Sequence, residues 1–479
     1  MGKMISAFTD DALGRLDATG VAEAIAKKEL SVQEVTEAAI ARAEKVNPEL
    51  GAIVIKTYEE ARHPKLAQGG LLYGVPVFVK DTDNLQGHPT QMGTGAFKAK
   101  NAKAHSRFLK QFLSTGVNYL GKSSMPEFGL ICSTENERWG ITRNPWNTDY
   151  TTGGSSSGSA ALVASGVVPI ASANDGAGSI RIPACCCGLV GLKPSRHRLI
   201  AIDGSELMPI QLVYQGVLTR TVRDTALFYA AAEKYYHNKK LSDLGHVTHA
   251  GNQRLRIAFF NNPATGKLGH QDADTYSAQQ QTAQLLQQLG HTVEQIDVPI
   301  NIDEMAEHYL NYYGMMAYLV SHMGRVIFKA SVDHGQLEPF TLGLSKRFKS
   351  NPLQLPRSIR ALRQACANVE RLFEKYDVVM TPVVSHTTPL IGHFSPNITF
   401  EQITRRALEY ASYAGQQNVS GSPAISLPLY TDSHGMPLGV HFSAPYGHDK
   451  RLLELAYELE EARPFKSLAK VAVATGVNV

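Results

Sequence analysis

The chain has few cysteines for its length, and their spacing argues against two common uses of the thiol. Its 479 residues include five cysteines and no C-x-x-C pair. The three consecutive cysteines at 185–187 cannot readily satisfy disulfide geometry with one another. We therefore predict small buried thiols in a reducing compartment, with no disulfide framework and no metal site. The nearest histidine pair, His246 and His249, lacks a third ligand close by in the sequence.

Strong charge of one sign and long apolar runs are also missing. Lys and Arg number 47 against 43 Asp and Glu, which leaves a net charge of only +4. The one compact basic cluster, 237–240, is typical of a solvated helix end rather than a nucleic-acid site. The best apolar stretch, 160–173, is too short to span a bilayer, and no secretory apolar core follows Lys3. These features predict a cytoplasmic protein without membrane or nucleic-acid partners.

What the chain does have is alternation of helical and extended patterns along its whole length. This alternation predicts an α/β fold, and 43% apolar residues supply a packed core. Ser31 and Glu34 form a capping box, after which a helix is expected to run until Pro48 stops it. A later helix is expected at 450–461, capped by Asp449. Further helices are predicted at 107–113 and 276–289, and strands at 75–79, 117–120, 167–171, 189–192, 255–260, 292–298, 378–380, 425–428 and 438–442.

The segment from about 300 to 375 differs from the rest because it is rich in helix, tyrosine and methionine. Tyr309, Tyr313 and Met316 belong to a stripe that continues to Tyr318. Such a stripe is consistent with ordinary core packing. It is also consistent with the wall of an adaptable apolar pocket, because Met and Tyr accommodate varied ligands.

Two short motifs suggest chemistry that their surroundings do not support. Residues 116–123 fit the phosphate-loop pattern G-x-x-x-x-G-K-S, but the four residues between the glycines are strand formers. A strand is therefore expected inside the supposed loop. Residues 154–158 fit the nucleophile-elbow pattern G-x-S-x-G with Ser156 at its centre. An elbow needs a buried strand leading into it, whereas the preceding segment is polar.

A third set of residues is spread over many segments and is far more specific. Lys80 ends an apolar strand, Ser155 follows 75 residues later in a Gly/Ser-rich run, and Ser179 follows after another 24 residues. Together with segments 121–129, 188–194, 418–424 and 435–440, this arrangement closely resembles the amidase signature family over nearly the whole chain. The resemblance implies one domain, 1–479, with a large twisted mixed β-sheet flanked by helices on both faces. Its catalytic core segments would lie within 75–195, and its substrate-facing helices at about 300–375.

The resemblance also implies a Ser–cis-Ser–Lys triad for amide hydrolysis, without metal or organic cofactor. Ser179 would be the nucleophile, Ser155 would relay the proton and Lys80 would be the general base. A lysine is a base only when neutral, so its pKa of about 10.4 must fall by roughly three units. Its place behind a run of valines makes the necessary burial plausible. Ser156 and the serines that follow it would support the start of the next helix.

Backbone amides around Ser179 would form the oxyanion hole. By resemblance the donors are Gly176, Ala177, Gly178 and Ser179. Relatives usually carry glycine where Ala177 stands, so a positive φ at that position would strain the loop. Asp175 and Arg181 are expected to hold this turn by an ion pair or backbone hydrogen bonds, rather than to bind substrate.

The branch of the family is indicated by a few further positions. Ile182 stands where tRNA-dependent amidotransferase subunits usually have glutamine, and segments 137–147 and 215–224 resemble the branch with 6-aminohexanoate cyclic-dimer hydrolases. We predict hydrolysis of a short linear or cyclic small-molecule amide, with Tyr313, Met316 and Asn418 in substrate binding. The alternatives are a glutaminase subunit that delivers ammonia to a partner, and a nucleotide-binding protein using Gly121, Lys122 and Ser123. A homodimer is the assembly that we consider.

Overall fold

A computed structural model describes residues 2–136, 138–260, 262–263 and 266–470. Glu137, which opens the branch-typical segment 137–147, and the ends of the predicted 1–479 domain lie outside these residues. The strands are β1 Ile53–Lys56, β2 Pro76–Lys80, β3 Asn118–Ser123, β4 Glu135–Asn136, β5 Gly140–Ile141, β6 Arg143–Asn144, β7 Asn147–Thr151, β8 Ile170–Asp175, β9 Val190–Lys193, β10 Tyr214–Thr219, β11 Arg256–Phe260, β12 Thr292–Ile296, β13 Val378–Pro382, β14 Ala424–Thr431 and β15 Pro437–Ser443.

Helices alternate with these strands and flank the sheet that they form. Short 3₁₀ turns, among them Glu127–Gly129, connect several elements. The helices are α1 Ala18–Ala26, α2 Val32–Leu50, α3 Tyr58–Arg62, α4 Arg107–Ser114, α5 Ser157–Ala164, α6 Arg181–Cys187, α7 Val222–Glu233, α8 Ala273–Gln288, α9 Ile302–His322, α10 Gly324–Ile327, α11 Pro339–Ser350, α12 Leu355–Glu370, α13 Phe400–Tyr410, α14 Gln416–Ser420 and α15 Asp449–Ala462.

One large mixed sheet of eleven strands organises the molecule, in the order β1-β3-β2-β8-β10-β9-β14-β15-β13-β11-β12. The pairs β2/β3, β2/β8, β11/β12 and β11/β13 are parallel, and the central strands from β8 to β15 pair antiparallel. One continuous cluster of buried apolar side chains runs from Ala7 to Phe465. The predicted α/β class with a large mixed sheet is confirmed. Among the described residues, every helix is too short or too polar to cross a bilayer.

Two predicted helix ends are wrong. Helix α2 continues through Pro48 to Leu50 and ends where Gly51 adopts a φ of +61°. Proline has no backbone N–H, so near the end of a helix it removes only one hydrogen bond of the helix. The next bonds can still form, and Gly51 N donates to Asn47 O at 2.8 Å. In α15, Asp449 does not cap the helix, because its carboxylate instead accepts from Ser195 N at 2.7 Å. The capping box of Ser31 and Glu34 is confirmed.

The helices of the 300–375 region form a layer beside the sheet. Helix α9 is capped by Asn301 and packs against α11 and α12. Tyr312 and Met315 of α9 belong to a separate apolar cluster with Leu362 and Cys366 of α12. The Tyr/Met stripe therefore contributes in part to ordinary core packing.

Candidate active site

The chemistry-bearing residues meet at one edge of the sheet. Strands β2 and β8 are parallel neighbours, with Val77 opposite Ile170, so their carboxyl ends lie side by side. Lys80 is the last residue of β2 and Asp175 the last of β8. The loop after β7 brings Ser155 to this edge, where Lys80 contacts it. The loop after β8 carries Ser179 into α6.

Lys80 has a fully buried ammonium group surrounded by neutral oxygen atoms. Its side chain is 0% exposed. Its Nζ lies 2.8 Å from Ser155 Oγ, 3.0 Å from Ser156 Oγ and 2.7 Å from Asn174 Oδ1. Burial lowers the pKa of Lys80 to about 7, although the charges of Asp175 and Asp83 act to raise it. At neutral pH a substantial fraction of this amine is therefore unprotonated and able to accept a proton.

The loop that carries Ser155 is tightly fixed. The Gly154–Ser155 peptide bond is cis. Ser156 Oγ donates to Ser179 O at 2.6 Å, and Ser157 Oγ donates to Gly153 O at 2.7 Å. The first bond ties the start of α5 to the loop that carries Ser179, and the second holds the turn that precedes α5. Ser156, the central serine of the G-x-S-x-G pattern, thus lies against Lys80 and the Ser179 backbone.

A buried ion pair holds the loop that carries Ser179. Arg181 Nε and Nη2 contact the two Asp175 oxygens at 2.9 and 2.8 Å, and both side chains are 0% exposed. Asp175 also accepts from the Ile180 amide at 3.2 Å. Burial raises the pKa of Asp175, but the charge and hydrogen bonds of Arg181 hold it well below its usual range. The predicted ion pair of Asp175 and Arg181 and the predicted backbone hydrogen bond across this turn are confirmed.

The Ser179 loop, residues 176–179, differs from expectation at two positions. The Gly178 amide donates to Asp175 Oδ1 at 2.7 Å, so it is already engaged and not directed to a substrate oxygen. The prediction that Gly178 supplies a donor is therefore wrong for this geometry. The strain considered for Ala177 does not arise, because positive φ in this loop falls on Gly178, at +114°, and not on Ala177.

A cavity of about 120 Å³ opens beside Ser179, which is 9% exposed. Its wall is mostly apolar and combines the loop 129–132, the Ser179 loop and one side of α9. Every one of its twenty lining residues is uncharged. They are Gly129, Leu130, Ile131, Cys132, Gly154, Ala177, Ser179, Ile182, Ile302, Met305, Ala306, Tyr309, Leu310, Tyr313, Phe340, Ala407, Leu408, Ala411, Ser412 and Gly415.

The three predicted substrate-binding residues occupy different places. Tyr313 lines the cavity. Met316 lies outside this wall and packs against the apolar cluster shared with α12. Asn418 is fully buried, and its Nδ2 donates to Asp175 O at 2.7 Å and to Leu212 O at 2.9 Å, while its Oδ1 accepts from Arg181 at 2.7 Å. The structure thus makes Asn418 a support of the ion pair rather than part of the cavity.

Sequence reasoning missed several residues of the site. Asn174 and Met305 are examples, since one contacts Lys80 and the other lines the cavity. Alternation along β8 could have indicated Asn174, because residues two apart on a strand face the same side of the sheet. Asn174 therefore shares a face with Ser172, whose Oγ accepts from Lys80 N at 2.9 Å. No local pattern distinguishes Met305 from the core methionines of the same helix.

Two other candidate sites take no part in this arrangement. The residues of the phosphate-loop pattern form β3, as predicted, and Lys122 is buried in an ion pair with Asp81 at 2.6 Å. Far along the chain, ligand atoms of Glu233, His237 and Asp243 lie within 4.8 Å of one another. Glu233 is already engaged there by Arg198 and by two backbone amides.

Comparison with known proteins decides the family. The family model described as Amidase matches residues 34–453. The chain belongs to the amidase signature family. This amidase is 44% identical over 462 residues to the protein AmiC of Mycobacterium leprae, covering 96% of this chain and 98% of that protein. It is 32% identical over 482 residues to the 6-aminohexanoate-cyclic-dimer hydrolase of Paenarthrobacter ureafaciens, covering 94% and 95%.

A solved structure agrees with these sequence relationships. The structure of a 6-aminohexanoate cyclic dimer hydrolase complexed with substrate superimposes with a TM-score of 0.85 at 30% identity, covering 95% of this chain and 98% of that one. The protein is therefore a hydrolase that acts on carbon–nitrogen bonds of amides, and it shares the fold of its relatives. The glutaminase and nucleotide-binding alternatives are not favoured.

Proposed function

We propose that this amidase cleaves its substrate through an acyl-enzyme formed on Ser179, with Ser155 relaying protons to Lys80. The observation that carries the proposal is the neutral environment of Lys80: a buried amine, with a pKa of about 7, lies 2.8 Å from Ser155 Oγ. A hydroxyl becomes an effective nucleophile when an adjacent base takes its proton, and an unprotonated lysine can be that base.

The proposed proton path extends the contact between Lys80 and Ser155 to Ser179. Ser179 Oγ attacks the amide carbon while its proton passes to Ser155 Oγ, and the Ser155 proton passes to Lys80 Nζ. The same path then returns a proton to the departing nitrogen as the carbon–nitrogen bond breaks. Water then attacks the acyl-enzyme while its proton passes to Lys80, and that proton returns to Ser179 Oγ as the bond between Ser179 and the acyl carbon breaks, which releases the carboxylic acid and restores both residues.

The negative charge on the substrate oxygen needs donors that the scaffold does not already use. We propose the amides of Gly176, Ala177 and Ser179 for this role, and Gly178 is left out because its N–H is directed to Asp175. One oxyanion donor is typically worth about 3–4 kcal/mol in the transition state. Tyr309 supports this loop, since its hydroxyl donates to Gly176 O at 2.9 Å.

The first experiment is labelling with a fluorophosphonate, followed by mapping of the modified residue. We expect the label on Ser179, and loss of both labelling and amide turnover in Ser179→Ala and Lys80→Ala. Ser159→Ala is the matched control, because Ser159 is a buried serine of the same run that bonds to Ser172 O and Ser123. Labelling at Ser156, or turnover retained in Lys80→Ala, would overturn the triad.

The uncharged cavity wall supports an uncharged, apolar acyl group in the substrate, with Tyr313 in contact with it. A buried ammonium without a partner is costly, so charged acyl chains should be rejected. Heptanamide and 6-aminohexanamide have chains of equal length and differ by a terminal methyl or ammonium group. We expect kcat/KM to favour heptanamide by about 100-fold, which corresponds to roughly 3 kcal/mol. Equal rates would place the acyl chain outside this cavity.

We further infer that the whole chain forms a single amidase domain, with catalytic segments within 75–195 and substrate-facing helices at about 300–375. The continuous buried cluster from Ala7 to Phe465 and the α9 residues in the cavity wall support this division. The free, buried cysteines support a location in the cytoplasm. A homodimer stays a prediction, which sedimentation equilibrium would test.

A further inference from the structure

We propose that Asn174 is a positioning residue that turns the lone pair of Lys80 Nζ toward Ser155. This inference rests on the proposed role of Lys80 as base and concerns how that base is oriented. A proton acceptor must direct its lone pair at the donor, and a lysine side chain rotates freely unless its other hydrogens are held. The contacts around Nζ supply this constraint.

The hydrogen bonds of a neutral Lys80 can be assigned one by one. A neutral amine has two N–H bonds and one lone pair, and Nζ has three oxygen neighbours: Ser155, Ser156 and Asn174. Asn174 Oδ1 can only accept, so it takes one N–H. The single proton of Ser156 is donated to Ser179 O at 2.6 Å, so Ser156 Oγ accepts the second N–H. The lone pair is left for Ser155.

Asn174 is itself fixed, so its oxygen is a stable reference for the amine. Its Nδ2 donates to Thr82 Oγ1 at 2.7 Å, which orients Oδ1 toward Lys80. Its backbone lies in β8 opposite Gln215 of β10, and it is 5% exposed. Side chains held on a strand in this way position a reacting group more exactly than loop residues do.

The charged groups around Lys80 are few and are engaged elsewhere. From β8, Asp175 acts on Lys80 but is bound by Arg181. Asp83, just after β2, accepts from Ser106 at 2.9 Å, and Lys122 on β3 is paired with Asp81. Helix α2, which also packs on β2, pairs its buried Arg42 with Asp11. Helix α5 has no titratable residue in its sequence. The direct contacts of Nζ are therefore those of neutral groups.

Two substitutions at position 174 separate charge from orientation. Asn174→Asp keeps an acceptor of the same shape but adds a negative charge, which favours the protonated amine. We expect the acidic limb of kcat/KM to move up by at least one pH unit, and the rate to return toward the wild-type plateau above it. Asn174→Leu removes the acceptor, and we expect its kcat to be at least tenfold lower on the plateau at every pH, with KM little changed.

The matched control is Asn118→Asp, because Asn118 is a buried asparagine on β3, the other neighbour of β2, and bonds to Thr36 and Ala61. It should leave the acidic limb in place. Circular dichroism and thermal unfolding establish that each variant is folded, and if Asn174→Leu fails to fold, Asn174→Ala, which also removes the acceptor, takes its place. The proposal is overturned if the acidic limb of the kcat/KM profile of Asn174→Asp lies within 0.3 pH unit of the wild-type limb. It is also overturned if a folded Asn174→Leu variant has full kcat.

Lys80→Ala separates this result from failure of the proposed function. If Lys80→Ala still hydrolyses amides, the lysine is not the base and both proposals fall. If Lys80→Ala is inactive while Asn174→Asp and Asn174→Leu behave like wild type, the base stands and only the positioning role of Asn174 is lost.

Discussion

Arg181 and Asp175 face each other across the start of α6 in a two-bond ion pair that is wholly buried. Arg181 Nη1 lies 3.0 Å from His441 Nε2, and burial together with the Arg181 charge lowers the pKa of that histidine well below its usual value. A neutral His441 can accept from Arg181 there. The pair thus links the Ser179 loop to strand β15.

Removing the charge of Asp175 should therefore destabilise the protein strongly. Asp175→Asn leaves the Arg181 guanidinium buried without a counter-charge, which typically costs about 3–5 kcal/mol in free energy of unfolding. Urea unfolding measures this. The control is Asp203→Asn, which breaks the exposed pair with Arg107 and should cost less than about 1 kcal/mol. Similar losses in the two variants would contradict the importance of burial.

Lys80 should make stability rise with pH in the neutral-to-alkaline range. Its pKa falls from 10.5 to about 7 on folding, so between these values the unfolded chain binds a proton that the folded chain does not. One such proton changes the free energy of unfolding by about 1.4 kcal/mol per pH unit, in favour of the folded state as pH rises. Lys80→Met lacks this contribution.

The measurement is the difference between wild type and Lys80→Met at pH 7.5, 8.5 and 9.5, by urea unfolding. We expect wild type to gain on the variant by about 1.4 kcal/mol per unit, since other groups titrate alike in both proteins. Lys98→Met, at an exposed position, should instead run parallel to wild type. A constant difference for Lys80→Met would mean that Lys80 keeps its proton in the folded state.

The sequence was sufficient for features that depend on local pattern. Apolar runs placed β2 and β3, and the strand-forming residues between Gly116 and Gly121 correctly excluded a phosphate loop. Strand β10 was missed because its polar Gln215 and Thr219 obscure the apolar pattern. Both are buried, and Gln215 bonds to Asp83, more than a hundred residues away in the sequence, which no local rule can anticipate.

The residues of the candidate site also divide into those that the sequence predicted and those that depend on tertiary packing. Family-typical spacing led to Lys80, Ser155 and Ser179, which the fold brings to one edge of the sheet. Asn418 was misplaced because a motif tells which residues recur but not which way a side chain points. Which residues of α9 face the cavity depends on the orientation of that helix about its own axis. Packing against α11 and α12 sets this orientation, and a local sequence pattern does not contain it.

Glu127 should be important for substrate binding although it does not line the cavity. Its buried carboxylate accepts from Thr94 Oγ1 at 2.6 Å, and from Glu338 N at 2.9 Å and Thr341 Oγ1 at 2.6 Å in the first turn of α11. That turn carries Phe340, part of the cavity wall.

In Glu127→Ala the first turn of α11 loses these bonds, at a cost of about 1–3 kcal/mol in stability. Because the wall moves while Lys80 and Ser179 stay in place, we expect KM for an apolar amide to rise more than kcat falls. Thr341→Val keeps the shape and loses a single bond, so a smaller effect of the same kind is expected. A selective loss of kcat would instead connect Glu127 to the reacting groups.

Gly129 should be required for catalysis because of a close approach to Ser155. It has a φ of +69°, and a Cβ at this position would lie 3.1 Å from Ser155 Oγ. Gly129→Ala therefore has two consequences: backbone strain of about 1–2 kcal/mol, and displacement of the Ser155 hydroxyl from Lys80. Small displacements of reacting groups lower rates steeply, so we expect kcat to fall by about tenfold or more.

Gly140→Ala separates these two consequences. Gly140 has a similar φ of +83°, but nothing lies within 4 Å of an added Cβ. We expect comparable destabilisation in thermal unfolding for both variants, with kcat retained in Gly140→Ala alone. If both variants keep full kcat, contact with residue 129 does not hold Ser155 in place. If both lose it equally, backbone strain rather than the position of the Ser155 hydroxyl accounts for the loss.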